Sequence, residues 1–130
     1  MTAEDVLQSQ CISTFRLKYP GFRKMLFSVP NGGNLSDSQR ILLTKTGLTS
    51  GVSDMIFLVP RKGYGSLCIE AKVRKGFMYT VNRVTRVVKQ DGKQSPEQHE
   101  WELQCLSNGN KYVIIRSVDE FMKEIEDYLK

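Results

Sequence analysis

Three ionisable residues inside one apolar stretch have the types and spacing to do chemistry together. In G-V-S-D-M-I-F-L-V-P-R-K-G-Y-G-S-L-C-I-E-A-K, from Gly51 to Lys72, Asp54 stands at the mouth of the run Met55-Ile56-Phe57-Leu58-Val59. Glu70 and Lys72 lie two apart at the end of a second apolar run beginning Ser66-Leu67-Cys68-Ile69. Both runs have strand length, and Pro60 to Gly65 between them has the Pro and Gly content of a hairpin loop. Side chains alternate across a strand, so Glu70 and Lys72 share a face while Ala71 points away. Two carboxylates and an ammonium on one sheet edge are the parts of a divalent-metal nuclease site. Hard cations take oxygen ligands, and the ammonium meets the negative charge that develops on a phosphate. A Glu and a Lys two apart are more often a solvated strand face. The setting favours a site, because strands this apolar are covered on at least one face and ionisable groups there are costly unless paired or metal-bound.

The elements that must position these residues come from a chain of 130 residues, 40% hydrophobic and 25% charged, the size and balance of one soluble domain with a core. No run approaches the ~20 apolar residues of a membrane span, and the acidic start Met1-Thr2-Ala3-Glu4-Asp5 is not that of a signal peptide. Cys11, Cys68 and Cys105 are odd in number, widely spaced and each inside an apolar element. They read as core residues of a reducing, intracellular compartment, neither a disulfide framework nor a zinc site. No dinucleotide fingerprint or P-loop is present, which leaves a nucleotide-cofactor enzyme unsupported. The net charge of +5 is concentrated in one place. From Arg74 to Gln94 there are six cations (Arg74, Lys75, Arg83, Arg86, Lys89, Lys93) against Asp91, leaving 13 cations and 13 anions elsewhere. A block of +5 directly after the Glu70-Ala71-Lys72 strand suggests a phosphate-backbone footprint.

In chain order, Leu7, Cys11, Phe15 and Tyr19 recur at spacing four and Ile12 widens the stripe, which predicts a helix over 3–19 ended by Pro20-Gly21. Glu4 and Gln8 extend that stripe. Glu4 is either a dipole-compatible first-turn residue or a group that reaches the site as a further ligand. Met25 to Val29 reads as a short strand. Pro30-Asn31-Gly32-Gly33-Asn34 follows as a turn whose amides could also face a phosphate. Ser36-x-x-Gln39 opens a helix with Ile41, Leu42 and Leu43 as its apolar side and Gly47 as its stop. Within the basic segment, Phe77 to Val81 and Val84 to Val88 are rich in β-formers, consistent with a twisted hairpin or a flexible arm, and Asp91-Gly92 reads as a turn. Ser95-Pro96-Glu97-Gln98 opens a helix with Gln98 as capping-box partner and Trp101 three residues on. Asn108-Gly109 turns the chain into a strand at Tyr112 to Ile115, and Ser117-x-x-Glu120 caps a last helix with Phe121, Ile125 and Leu129 at spacing four. His99 reads as a surface residue. The order α-β-α-β-β-(basic insert)-α-β-α describes a mixed sheet with helices packed against it.

These residues, taken together, resemble the PD-(D/E)xK nuclease superfamily and, within it, the virus-type replication-repair nuclease (VRR-NUC) family. The likeness rests on the early helix with Glu4 and Gln8, the Val29-Pro30-Asn31-Gly32 loop, Gly51-x-x-Asp54, Cys68-Ile69-Glu70-Ala71-Lys72 and Gln98-x-x-Trp101, in order over nearly the whole chain. The short length is similar to that of stand-alone phage and bacterial members. Ser53 stands where the superfamily pattern has Pro, and the 74–94 insert is longer than the family pattern leads one to expect.

The resemblance implies an α/β restriction-endonuclease-like core, a central mixed β-sheet flanked by helices, over residues 1–130. It implies a metal-dependent endonuclease acting on DNA, with branched DNA such as four-way junctions as substrate. Flap or nicking activity on the same site, or a non-catalytic DNA-binding module, remain as alternatives. Carried onto this chain, Asp54 and Glu70 would bind Mg²⁺ or Mn²⁺ with the Ala71 carbonyl and Glu4. Lys72 would orient or deprotonate the attacking water, and Gln98 would position Lys72, the water or the phosphate. Asn31, Gly32 and Gly33 with Arg74, Lys75, Arg83, Arg86 and Lys89 would hold the DNA backbone. A homodimer in a phage or bacterial host cytoplasm, without membrane or nucleotide cofactor, is the implied setting.

Overall fold

A computed structural model describes residues 1–30 and 33–130. The first helix, α1 (Ala3–Lys18), starts at a capping box in which the Thr2 side chain accepts from Asp5 N–H and Asp5 returns a bond to the Thr2 N–H. A short 3-10 turn (Pro20–Met25) leads into β1 (Leu26–Ser28). After α2 (Asp37–Lys45) come β2 (Met55–Phe57) and β3 (Leu67–Ala71). The basic segment holds β4 (Met78–Val81) and β5 (Val84–Val87), then α3 (Pro96–Ser107), β6 (Lys111–Ile115) and α4 (Val118–Leu129) complete the order expected from the sequence.

The main sheet runs β1-β2-β3-β6. β1, β2 and β3 form an antiparallel meander, and β6 adds in parallel to β3 with Leu67 opposite Lys111 and Ala71 opposite Ile115. A parallel neighbour needs a crossover, and the chain spends the ribbon β4–β5 and α3 on it. All five residues of β3 are buried. Alternation sends Leu67, Ile69 and Ala71 into a core built with Leu7, Cys11 and Phe15 of α1 and Phe121, Ile125 and Tyr128 of α4. It sends Cys68 to the opposite face, against Cys105, Tyr112 and Trp101, where α3 lies. The Phe57 ring meets Phe15 and Phe22 edge-on, at centroid distances of 5.5 and 5.8 Å. The Tyr128 hydroxyl donates to the Val59 carbonyl at 2.6 Å, fixing the loop after β2 to the last helix.

Two expectations are corrected. Ile41, Leu42 and Leu43 do not form a buried side: all three are exposed, Leu42 to 61%, and α2 stands out from the sheet. Asp91-Gly92 does not turn. The reversal in the basic segment lies at Asn82-Arg83, both with positive φ (51° and 65°), as a two-residue hairpin turn requires, and Gly92 N–H instead donates to the Val73 carbonyl. The three cysteines are buried and free, and His99 is exposed beside Glu102. No helix among the described residues is long and apolar enough to cross a membrane. Phe15→Ala empties the centre of the aromatic cluster and should lower unfolding free energy by about 3–5 kcal/mol, whereas Leu42→Ala on exposed α2 should change it by less than about 0.5 kcal/mol; urea denaturation of both variants measures the contrast.

Candidate active site

The pairing of β2 with β3 puts Met55 opposite Ile69, so the next residue out, Asp54, faces Glu70. Two bonds lock that register where the chain enters β2. Asp54 N–H donates to Glu70 Oε2 at 3.2 Å, and Ala71 N–H donates to Asp54 Oδ2 at 2.8 Å. The two carboxyl groups lie close enough to act on each other electrostatically. Lys72, on the same face as Glu70, holds its Nζ 3.7 Å from Glu70 Oε1, while its N–H is tied to the Ile115 carbonyl of β6. Glu70 is 1% and Lys72 6% exposed. A buried carboxyl and a buried ammonium require partners, and here each finds the other.

Gln98 serves as both cap and site residue. Its Oε1 accepts from Ser95 N–H at 2.8 Å, while Ser95 Oγ accepts from Gln98 N–H, closing the capping box of α3. With its oxygen engaged, the amide nitrogen has one direction left, and it donates to Glu70 Oε1 at 2.6 Å. The helix start is held against the site by Gly51, at φ +83°, whose Cα lies so close to α3 that a Cβ would come within 2.2 Å of the Glu97 carbonyl oxygen. Only a residue without a side chain permits that approach. Ser53, in place of the pattern's Pro, is buried and donates to the Met55 carbonyl at 3.1 Å.

Glu4, from the first turn of α1, comes over the same corner. Its Oε1 lies 3.1 Å from where a Cβ on Gly92 would be, beside the Lys72 stem. Burial pushes its pKa up, and the Lys72 charge pulls it back. Asp5, whose carboxylate also caps α1, raises the pKa of Asp54 electrostatically. Gln8 lies elsewhere, in a groove between α1 and β1 with Leu26 and Phe27. The site opens into a cleft of about 480 Å³ lined by Pro30, Gly33, Arg40, Thr44, Asp54 and Gln98 among others. Arg40 and Thr44 of α2 had no distinguishing mark in the sequence beyond their helix. Their position explains why α2 stands out: it walls the cleft.

Of the residues expected to contact a phosphate backbone, Gly33 borders this cleft, and Asn31 and Gly32 lie outside the described residues. Arg74 is exposed and paired with Glu120 of α4. Lys75 stands at the base of the ribbon, its N–H bonded to Asp91. Arg83 occupies the turn, Arg86 lies on β5 opposite Tyr79, and Lys89 follows β5; all are exposed. The structure thus gathers Asp54, Glu70, Ala71, Lys72, Gln98 and Glu4 at one point and spreads the cations over an arm beside it.

Burial raises the pKa of Glu70 to about 8, the Asp54 charge adding to the effect and Lys72 opposing it. Asp54 is raised as well, by burial, against the pull of the Ala71 N–H and Lys72. Among the described residues no three His, Cys, Asp or Glu side chains converge as a ready-made metal cage. The donors present fit a different pattern, since Mg²⁺ keeps several waters and is held by one or two carboxylates together with substrate phosphate. Two adjacent carboxyls that resist ionisation side by side are stabilised as carboxylates by a divalent cation between them.

No family model matches the chain, and no curated protein matches it in sequence. A solved structure described as "VRR_NUC domain protein" aligns with it at a TM-score of 0.70 and 20% sequence identity, covering 99% of this chain and 89% of its own. The mixed sheet flanked by helices is therefore the fold of a VRR_NUC domain protein, in agreement with the motif resemblance.

The raised carboxyls have a measurable consequence. A carboxyl group whose pKa is higher in the fold than in the unfolded chain favours the fold at low pH and penalises it as pH rises from its ordinary value, near 4.5, through about 8. A cation that binds the ionised pair removes this penalty and binds more tightly as pH rises. The Tm difference between Mg²⁺ and EDTA should be near zero at pH 5 and widen up to pH 8.5, and Glu70→Ala should abolish the widening; circular-dichroism melts at each pH measure it. Gly51→Ala, forced to displace the start of α3, should weaken the same Mg²⁺-dependent gain in Tm.

Proposed function

We propose that this chain is a Mg²⁺- or Mn²⁺-dependent endodeoxyribonuclease that hydrolyses phosphodiester bonds, selecting branched DNA such as four-way junctions and working as a homodimer. The observation that carries the reading is the Asp54–Glu70–Lys72–Gln98 constellation, two buried acids and a buried ammonium locked by a helix cap at the mouth of a cleft. A nuclease fold supports it. The branched substrate and the dimer rest on the motif resemblance, and two symmetric sites would suit paired cuts in a four-way junction.

In this reading Asp54 and Glu70 hold the cation, assisted by the Ala71 carbonyl, with Glu4 supplying further negative charge at the rim. A cation bound there would supply Lewis-acid polarisation of the phosphoryl group and a nucleophile available at neutral pH. Lys72 sits where negative charge develops on the phosphate and stabilises it in a site from which water is largely excluded. It also orients the attacking water from beside Glu70. Gln98 acts as a positioning residue: its amide holds Glu70 Oε1, which leaves Oε2 aligned with Asp54. One P–O bond forms to the water oxygen as that water releases a proton to solvent, the bond to the leaving sugar oxygen breaks, and that oxygen takes up a proton from solvent.

End-labelled four-way junction, flap, linear duplex and single-stranded DNA, incubated with Mg²⁺, Mn²⁺ or EDTA, test the reading. Wild type should cut the junction only with metal, and Glu70→Ala should lose at least about 10³-fold of the rate while retaining DNA binding, since the ammonium and cleft remain. Ser95→Ala, which removes the hydroxyl that accepts from the Gln98 N–H and so loosens the start of α3 without touching a ligand, should cost about 10-fold, in the range of lost outer-shell partners. Binding by well-folded wild type without cleavage of any substrate would leave a DNA-binding module.

A further inference from the structure

The ribbon β4–β5 is an addition to the sheet that bears the site, and it is built as an arm. Its base is fixed at four points. Gly76 N–H donates to the Val88 carbonyl at 2.8 Å and Val88 N–H to the Phe77 carbonyl at 2.9 Å. Gly92 N–H donates to the Val73 carbonyl at 2.8 Å, and Arg116 Nη1 to the Gly92 carbonyl at 2.9 Å. Phe77 and Val88 pack on the main core. Val73, where this anchorage begins, is the residue after Lys72, so the arm starts at the site.

Beyond Phe77 and Val88 the two strands leave the body. One face, Tyr79, Val81, Val84 and Arg86, borders a groove with Met1. The other carries Met78 opposite Val87 and Thr80 opposite Thr85, the threonine hydroxyls 3.0 Å apart. Met78 is 65% and Val87 53% exposed. Apart from Lys75 at the base, the cations of the arm lie at the turn or along β5, in Arg83, Arg86 and Lys89, with Arg86 on the Met1 face, and β4 has none. An apolar and hydroxyl face bordered on one side by cations suits a surface whose floor is base edges and whose wall is phosphate. The net charge of +5 over residues 74–94 selects a polyanion as the occupant.

Dimensions choose the groove. Two strands about 4.8 Å apart, with side chains, make a ribbon too wide for the ~6 Å minor groove of B-DNA but admitted by the ~12 Å major groove. From Met78 to the turn is about five residues, or roughly 17 Å at ~3.4 Å per residue, the span of about five base-pair steps. We infer that the β4–β5 ribbon lies in the major groove of the duplex flanking the phosphate at Lys72, its outer face on base edges and its β5 side along one backbone. This rests on the nuclease reading for the position of that phosphate, and on the ribbon alone for the groove.

Methylation interference tests it, with the full-length Glu70→Ala protein bound to an end-labelled four-way junction and to a linear duplex treated with dimethyl sulfate. Methyl groups on guanine N7 in the major groove, within about five base pairs on one side of the wild-type cut, should block binding, and those on adenine N3 in the minor groove should not. Arg83→Ala with Arg86→Ala, both on exposed positions, should raise Kd at least about 10-fold at 0.1 M salt and reduce the slope of log Kd against log salt by about 2. Interference at adenine N3 alone, or an unchanged Kd and salt slope in the double variant, overturns the inference. So does a concentration-dependent dimer that the double variant loses with DNA binding intact, which would assign the face to a second copy. N7 interference from a protein that cuts nothing would remove the nuclease reading and leave the ribbon's role standing, and cutting without N7 interference would do the reverse.

Discussion

A carboxyl group in the middle of a fully buried strand is the constraint around which the rest of the molecule is arranged. Glu70 occupies a position where its neighbours Cys68, Ile69 and Ala71 are core residues. Left alone there, it would destabilise the fold heavily. The chain surrounds it with an ammonium from its own strand, a backbone N–H from the neighbouring strand, a side-chain amide from a helix start and a second carboxyl that can share its proton. These four groups come from three places, Lys72 at the end of β3, Asp54 at the entry to β2 and Gln98 at the start of α3. Holding one acid therefore fixes the β2–β3 register, the end of β3 and the seating of α3 together.

This economy explains why Gln98 is both a cap and a site residue. A capping glutamine elsewhere has its amide nitrogen free to turn toward water. Here the capping bond consumes the carbonyl and aims the nitrogen, so the N-terminus of α3 and the orientation of Glu70 are one structural fact. Gly51 enforces the same seating sterically, by close approach to the first turn of that helix. Stability of the helix start and readiness of the site cannot be varied independently.

Much of this was legible in the residues, for physical reasons that also mark its limits. The strand pair was readable because two apolar runs flank a Pro- and Gly-rich loop, and the shared face of Glu70 and Lys72 followed from the period of a strand. The capping boxes at Ser36 and Ser95 and the side-chain cap at Ser117 located three helix starts because capping chemistry is local. What failed was long-range or depended on context. Ile41, Leu42 and Leu43 have the composition of a buried side, but burial depends on a covering surface that local pattern does not encode. Asp91-Gly92 carries the commoner turn dipeptide, yet Asn82-Arg83 makes the reversal, because the cross-strand pairs from Met78–Val87 to Val81–Val84 decide where the chain must double back. Glu4 was ambiguous between dipole and site because the approach of α1 to Gly92 is a tertiary contact.

The parallel pairing of β3 with β6 has a consequence for the order in which the molecule comes into being. β3 is hydrogen-bonded on one side by β2, a near neighbour along the chain, and on the other by β6, more than forty positions later, through Glu70–Ile114 and Ala71–Ile115. Non-local pairings of this kind carry a loop-closure cost that delays them. During synthesis, the carboxyls can be brought side by side by the early meander, but the apolar residues on their face of the sheet, Trp101, Cys105, Tyr112 and Ile114 of α3 and β6, arrive later. A nascent chain emerging only as far as Gln98 would hold Asp54, Glu70, Lys72 and Gln98 without the apolar residues that share their face. Burial of the acids is thereby tied to the arrival of β6, and partly made chains have their acids in water.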